Sequence, residues 1–185
     1  MASSIPAGEF SVWLTNMLAA IAGKQDSTVP CGTCTACCTS SQFVHIAPDE
    51  TDTLAHIDSR LLFPAPRMPR GHVVMGYDER GHCPMLIDNV CSIYEHRPRT
   101  CRTYDCRVFP AAGIEPDDKP RIADRARQWE FDYADDRSRA LREAVRAAAQ
   151  LAREQENDIA NATELAVRAV EAVGVELSER RDSRG

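Results

Sequence analysis

The sequence predicts an α+β fold: a small core of short strands and loops, flanked by an N-terminal helix and a C-terminal helical region. Three observations carry this expectation. Apolar residues recur at helical spacing near the N-terminus. Eight cysteines fall in two groups among Gly, Pro, Ser and Thr. Beyond residue 120 the chain turns rich in Ala, Arg and Glu, as helices are.

The helix is predicted over residues 7–22, where Phe10, Trp13, Leu14, Met17, Leu18 and Ile21 form one apolar stripe. Pro6 precedes it and Gly23 follows, the usual boundary pair. Residues 25–41 carry no helical or strand period, so their ligands must organise them as a loop. Val44 to Ile46 reads as a short strand, and Pro48-Asp49-Glu50 as a helix start whose apolar face is Leu54, Ile57 and Leu61. Pro64, Pro66 and Pro69 break regular structure. His72 to Tyr77 and Met85 to Ile87 then read as two strands separated by a turn at Asp78-Glu79-Arg80-Gly81. From Arg121 the pattern is helical. One face is marked by Leu141, Val145, Ala148 and Ala152, and another by Ile159, Ala162, Ala166, Ala169 and Val173. Asn161 with Glu164 resembles a capping pair that breaks the run, and Gly174 reads as a C-terminal cap. The expected organisation is an N-terminal helix over 1–24, a cysteine-rich domain over 25–113, a helical region over 114–177 and a disordered tail over 178–185.

Composition narrows the function. The 185 residues carry a formal net charge of −6, and Lys24 and Lys119 are the only lysines. Such a chain suits neither a phosphate backbone nor an anionic membrane, so neither nucleic acid nor membrane is expected as a partner. A protein partner would dock through the helical regions. No stretch reaches the roughly 18 apolar residues that a membrane span needs. Leu14 to Ala22 has the small apolar character of a secretory leader, but no Lys or Arg precedes it and Glu9 lies upstream. The expected location is the cytoplasm, and in a reducing compartment clustered cysteines read as metal ligands rather than disulfides.

The proximal group is Cys31-x-x-Cys34-x-x-Cys37-Cys38. A CxxC pair spans one tight turn and brings two sulfurs to one ion. Three such cysteines in succession match the start of a bacterial ferredoxin run, but the local fourth ligand and its proline are missing. A further ligand must therefore come from the distal group, Cys83, Cys91, Cys101 and Cys106. Cys37 and Cys38 are neighbours whose side chains diverge, which implies either two sites or one spare thiol. Thiolates suit both zinc and iron–sulfur clusters, so both readings stand. Arg97, Arg99, Arg102 and Arg107 lie in the distal stretch, where guanidinium groups would offset thiolate charge. His82 and His96 are weaker ligand candidates, and Asp105 beside Cys106 is a candidate acceptor behind a ligand. The sequence holds no phosphate loop, nucleophile motif or separated carboxylate pair that would mark an enzyme.

Cys31-Gly-Thr-Cys34-Thr-Ala-Cys37-Cys38, then Cys83-Pro-Met-Leu, then Cys91-Ser-Ile-Tyr94-Glu-His-Arg97-Pro98-Arg-Thr-Cys101-Arg102 resembles the signature of the YkgJ-type cysteine-cluster family. The resemblance spans residues 31–108. It implies a zinc- or iron-chelating domain with eight characteristic cysteines, some of whose members carry an iron–sulfur oxidoreductase label. On that basis all eight cysteines are candidate metal ligands: Cys31, Cys34, Cys37, Cys38, Cys83, Cys91, Cys101 and Cys106. The implied cofactor is an iron–sulfur cluster or zinc, in a redox or accessory role. The alternative is a structural zinc domain that serves as an interaction module. Where relatives pass from CR directly to an aromatic-proline step, this chain inserts Thr103-Tyr104-Asp105-Cys106 before Phe109-Pro110, which sets Cys106 apart from the other seven.

Overall fold

A computed structural model describes residues 4–116, 118–155 and 161–182. The chain divides into two compact units, one made of 30–104 and the other of the N-terminal segment to Val29 together with the chain from Asp105 onward. Both contain helices and strands, as an α+β fold requires. Among the described residues no helix is long and apolar enough to cross a membrane.

In the unit formed by the chain ends, strand β1 (Ile5–Glu9) leads directly into helix α1 (Phe10–Ile21). The helix begins three residues later than its apolar stripe predicts, because Ala7, Gly8 and Glu9 belong to the strand. β1 pairs in parallel with β7 (Trp129–Asp132), and the register skips at Ala7. Gly8 permits this bulge, since its φ of 91° lies where a side chain is strained. β7 alternates Trp129 and Phe131 with the exposed Glu130 and Asp132, a strand signal hidden inside an Ala/Arg/Glu-rich run. The single helical region expected from Arg121 is therefore three helices and a strand: α5 (Pro120–Ala126), β7, α6 (Asp136–Gln155) and α7 (Ala162–Asp182).

Phe10 and Trp13 pack their rings against Phe131 at centroid distances of 5.0 Å each. Ala166, Ala169, Val170 and Val173 bury one face of α7, and Val145 and Ala149 bury one face of α6. Asn161 does begin α7, its side-chain oxygen accepting the Glu164 N–H at 3.0 Å. Gly174 does not end it: α7 continues to Asp182, past the boundary expected at residue 177. The glycine serves packing instead, because a Cβ there would lie 2.5 Å from Leu18 Cδ2. Ile159 and the extreme tail, residues 183–185, lie outside the described residues.

Two polar devices hold this unit. Asp105 and Arg107, 3% and 5% exposed, form a buried ion pair at 2.7 Å. Asp105 also accepts the Trp13 indole N–H at 3.0 Å, and Arg107 donates to the Ala7 carbonyl at 2.9 Å, the carbonyl that the β1 bulge releases. The second device is Glu9, which caps α1 by accepting the Val12 N–H at 2.9 Å and accepts the Ser138 hydroxyl at the start of α6. Burial alone would raise its carboxyl, but hydrogen bonds from Ser11, Ser138 and Val12 outweigh burial and hold it down at about 2.

In the unit 30–104, strands β2 (Val44–Ile46), β3 (Leu62–Pro64) and β4 (Val73–Met75) form an antiparallel sheet in the order β2-β4-β3. Helix α2 (Thr51–Ala55) follows β2 and is only five residues long, so Ile57 and Leu61 lie beyond it. The two strands expected over residues 72–77 and 85–87 are both present in shorter form, in different sheets. β4 joins the sheet, while β5 (Leu86–Ile87) turns back on β6 (Val90–Cys91). Asp88 and Asn89 make that turn, both with positive φ, as a tight two-residue hairpin demands. The core is Val44, Ile46, Ile57, Met75 and Ile93.

Two outcomes test this account of the first unit. Asp105→Ala leaves the Arg107 guanidinium buried without its counter-charge, so denaturant unfolding should show a loss of about 3–5 kcal/mol. Adding Arg107→Met should recover part of it, and a single-variant loss below about 1 kcal/mol would refute the pair's role. Glu9 has a folded pKa below its ordinary value, so its stabilising share is complete above about 4.5 and disappears as pH falls towards about 2. Across that window the native protein should lose stability more steeply than Glu9→Gln, and parallel curves would contradict the assignment.

Candidate metal centre

The proximal cysteines sit where the sequence places them, in a loop without regular strands. Cys34 N–H closes a turn on the Cys31 carbonyl at 2.9 Å. Cys37 and Cys38 begin a short 3₁₀ turn that ends at Thr39. Its polar side chains are tied to the turn's own main chain: Thr39 Oγ1 donates to the Thr35 carbonyl at 2.9 Å and Ser40 Oγ to the Ala36 carbonyl at 2.6 Å.

The distal group is brought to this loop by main-chain hydrogen bonds. Cys83 N–H donates to the Cys38 carbonyl at 2.7 Å, and Ser41 N–H donates to the Gly81 carbonyl at 2.9 Å. The turn before Cys83 is prepared by Asp78, whose carboxylate accepts the N–H groups of Arg80 and His82 at 2.9 and 2.8 Å. Gly81 allows the close approach: its φ is 77°, and a Cβ would lie 2.3 Å from Ser41 Oγ.

Cys91 ends β6, and Cys101 lies on α3 (Arg99–Thr103). That short helix is pinned from three directions. The Glu50 carboxylate, 8% exposed, accepts the Arg99 N–H at the helix start and the Ala47 N–H at 2.9 Å. Thr100 Oγ1 donates to the His45 carbonyl at 2.7 Å. Arg99 pairs with Asp49 at 2.7 Å. Cys83, Cys91 and Cys101 thereby pack on the flank of the apolar core.

The electrostatics follow from this crowding. Burial, then the thiols of Cys83, Cys91, Cys31 and Cys34, pushes the Cys38 thiol up to about 11. Burial, then Cys83, Cys38 and Cys91, pushes Cys101 up to about 12, with Arg97 offsetting a part. Burial also raises Cys83, against the main-chain N–H groups of Met85 and Leu86 that favour its thiolate. Cys38 thus feels the charge of Cys83, Cys91, Cys31 and Cys34, and Cys101 that of Cys83, Cys38 and Cys91. Neighbouring negative charges in a half-buried site oppose ionisation, and a bound cation reverses that opposition. The donor set therefore fits a thiophilic metal or an iron–sulfur cluster.

Cys106 stands elsewhere. It belongs to the other compact unit, is 7% exposed, and its sulfur accepts the Trp129 indole N–H at 3.2 Å. Its neighbour Asp105 takes up Trp13, Ser27 and Arg107 rather than standing behind a ligand. Among the arginines, Arg107 is committed to that ion pair, Arg99 to Asp49, and Arg97 to the Tyr94 ring at 3.6 Å. His82 contributes its main chain to the Asp78 turn. What sequence reasoning missed is the support from Glu50 and Thr100, whose partners Arg99 and His45 lie 49 and 55 residues away, beyond any spacing signal.

No curated protein and no solved structure matches the chain. One family model does, over residues 30–135 of the 185, a span that runs beyond the motifs and through β7. The family carries the description "Putative zinc- or iron-chelating domain", and its signature CxxCxxCC is spelled here by Cys31, Cys34, Cys37 and Cys38. With that signature in place and more than half of its length covered, the chain belongs to the CxxCxxCC family of metal-chelating domains.

Proposed function

We propose that the unit 30–104 holds a thiolate-ligated metal centre, an iron–sulfur cluster or zinc, built from Cys31, Cys34, Cys37, Cys38, Cys83, Cys91 and Cys101, and that it serves a redox or accessory role. The observation that carries this reading is the main-chain pairing of Cys83 with Cys38, at 2.7 Å, which joins the two cysteine groups. The charge of the neighbouring thiols acting on Cys38 and Cys101 supports it, since a cation makes such crowding favourable once they ionise. The main-chain N–H groups directed at Cys83 are of the kind that stabilise metal-bound sulfur. On this reading Cys106 is a buried hydrogen-bond acceptor of the helical unit and not a ligand. When bound, the metal supplies either electron transfer or a rigid cross-link; the chain supplies thiolates, their spacing and a partly dry flank.

One observation favours the alternative, a structural zinc domain that acts as an interaction module. Phe43, Phe63 and Tyr77 are 63%, 55% and 42% exposed. Phe43 lies 5.1 Å from Tyr77 between ring centroids, and both Phe43 and Phe63 approach Gly76. An exposed aromatic group of this kind is typical of a docking surface.

Anaerobic purification with iron, zinc and acid-labile sulfide analysis separates the readings. Sulfide with iron excludes the structural zinc domain, and zinc without sulfide excludes the iron–sulfur cluster. In either case Cys38→Ser, Cys83→Ser and Cys101→Ser should lower bound metal several-fold, whereas Cys106→Ala should keep the full complement. Metal retained by the first three, or lost on replacing Cys106, would overturn the ligand assignment.

Metal removal should also act unevenly. The loops 30–41 and 78–91 bury little apolar surface against an ordering cost of about 1–2 kcal/mol per residue. A structural metal contributes on the order of 10 kcal/mol of apparent binding energy. Hydrogen exchange on the metal-free protein should show these loops deprotected, with α6 and α7 still protected. Equal protection of residues 30–41 in both forms would mean that the loop folds without metal.

A further inference from the structure

Three side chains that the thiolate centre does not use converge on the surface of the unit 30–104. Asp52 and His56 are one helical turn apart, on α2 and at its C-terminal cap. His96 comes from the 3₁₀ turn at Tyr94–His96. One ligand atom from each lies within 4.8 Å of the other two. His96 Nδ1 donates to Asp52 Oδ2 at 2.7 Å, and His56 Nδ1 lies 3.8 Å from Asp52 Oδ1. The two imidazoles lie face to face, with centroids 3.5 Å apart and planes within 7°. All three side chains are open to solvent, at 70% for Asp52, 41% for His56 and 38% for His96.

We propose that Asp52, His56 and His96 form a second metal site, separate in donor chemistry from the thiolates, that takes an exchangeable divalent transition-metal ion of borderline softness such as Zn²⁺ or Ni²⁺. Two imidazole nitrogens and one carboxylate oxygen suit such ions, whereas Mg²⁺ and Ca²⁺ call for oxygen donors throughout. The tautomers leave lone pairs available. A main-chain carbonyl only accepts, so His56 Nδ1, 2.8 Å from the Asp52 carbonyl, carries the proton of the neutral ring and Nε2 is free. His96 Nδ1–H faces the Asp52 carboxylate, so an ion bound between them takes the place of that proton and the ring passes to its Nε2–H tautomer. Lone pairs of parallel rings do not converge, so coordination by both rings breaks their stack, and their exposure gives the room to turn. Three protein donors leave positions for water, which makes the ion exchangeable and not structural.

Two of the neighbouring carboxylates are engaged elsewhere. Asp49 pairs with Arg99, and Glu50 is held by the main-chain N–H groups of Ala47 and Arg99. Arg97 and Arg99 share the same recess, but their guanidinium groups are engaged with Tyr94 and Asp49. Sequence spacing gives no sign of the third ligand, since His96 is 44 residues from Asp52.

The test uses the full chain, purified anaerobically with its thiolate centre filled, and titrated with Zn²⁺ or Ni²⁺. Calorimetry should show one further equivalent. Nuclear magnetic resonance with Zn²⁺ should move the imidazole signals of His56 and His96, with those of His45, His72 and His82 unchanged. His56→Ala/His96→Ala should weaken that equivalent at least about tenfold while leaving the thiolate-bound metal content unchanged, and Asp52→Asn should weaken it in the same direction. These residues are exposed, so the variants are expected to fold, and the unchanged thiolate metal content reports that they have. The proposal is overturned if no equivalent binds beyond the thiolate complement, or if the double variant binds it as tightly as the native chain. Loss of the thiolate metal in native protein would count against the proposed centre and not against this site, because the imidazole shifts are read separately.

Discussion

The hydrogen bond from Cys83 N–H to the Cys38 carbonyl, with its companion from Ser41 to Gly81, is the constraint on which the cysteine-bearing unit depends. It fixes the distance between two loops that have no sheet or helix between them to do so. Each loop alone can place only its own thiols. Main-chain pairing is well suited to this task, because it engages no side chain. Gly81 is what makes the pairing possible, since any Cβ at that φ would meet Ser41.

The remaining ligand stretch is positioned by carboxylates. Glu50 and Asp78 both use their oxygens to accept main-chain N–H groups at the entrance to a cysteine-bearing element. Such bonds to a charged acceptor are roughly twice as strong as neutral ones, and they freeze a short helix or turn that has no length to stabilise itself. Cys101 then rests on a core of only five buried residues. A core of that size leaves the unit in need of a further staple, which is the physical link between the fold and metal binding.

The unit formed by the chain ends follows different physics. Its helices bury apolar faces, and its buried charge pair, Asp105 with Arg107, is satisfied on nearly every side by Trp13, Ser27, Thr28 and Ala7. Cys106 falls between those two residues and shares their buried setting. The stretch from Thr103 to Cys106 thus coincides with the point at which the chain leaves one unit for the other.

By itself the sequence determined the α+β class, the first helix, the capped start at Asn161 and the metal-chelating character. Each of these is written in local spacing: a 3.6-residue stripe, an Asn three residues before a Glu, a CxxCxxCC run. Tertiary structure alone decided what depends on partners distant in the chain. β1 has no alternation and contains Pro6 and Gly8, so only β7 makes it a strand. Gly174 looked like a helix end until Leu18 supplied the reason for its missing side chain. Residues 85–87 turned back on Val90 because Asp88 and Asn89 accept positive φ, a local cue outweighed in the reading by the Gly81 turn. Cys106 matched the ligand pattern by count, and its indole partner emerged only when Trp129 was placed beside it. Asp52, His56 and His96 came together in the same way, because a fold can converge three side chains that no spacing rule connects.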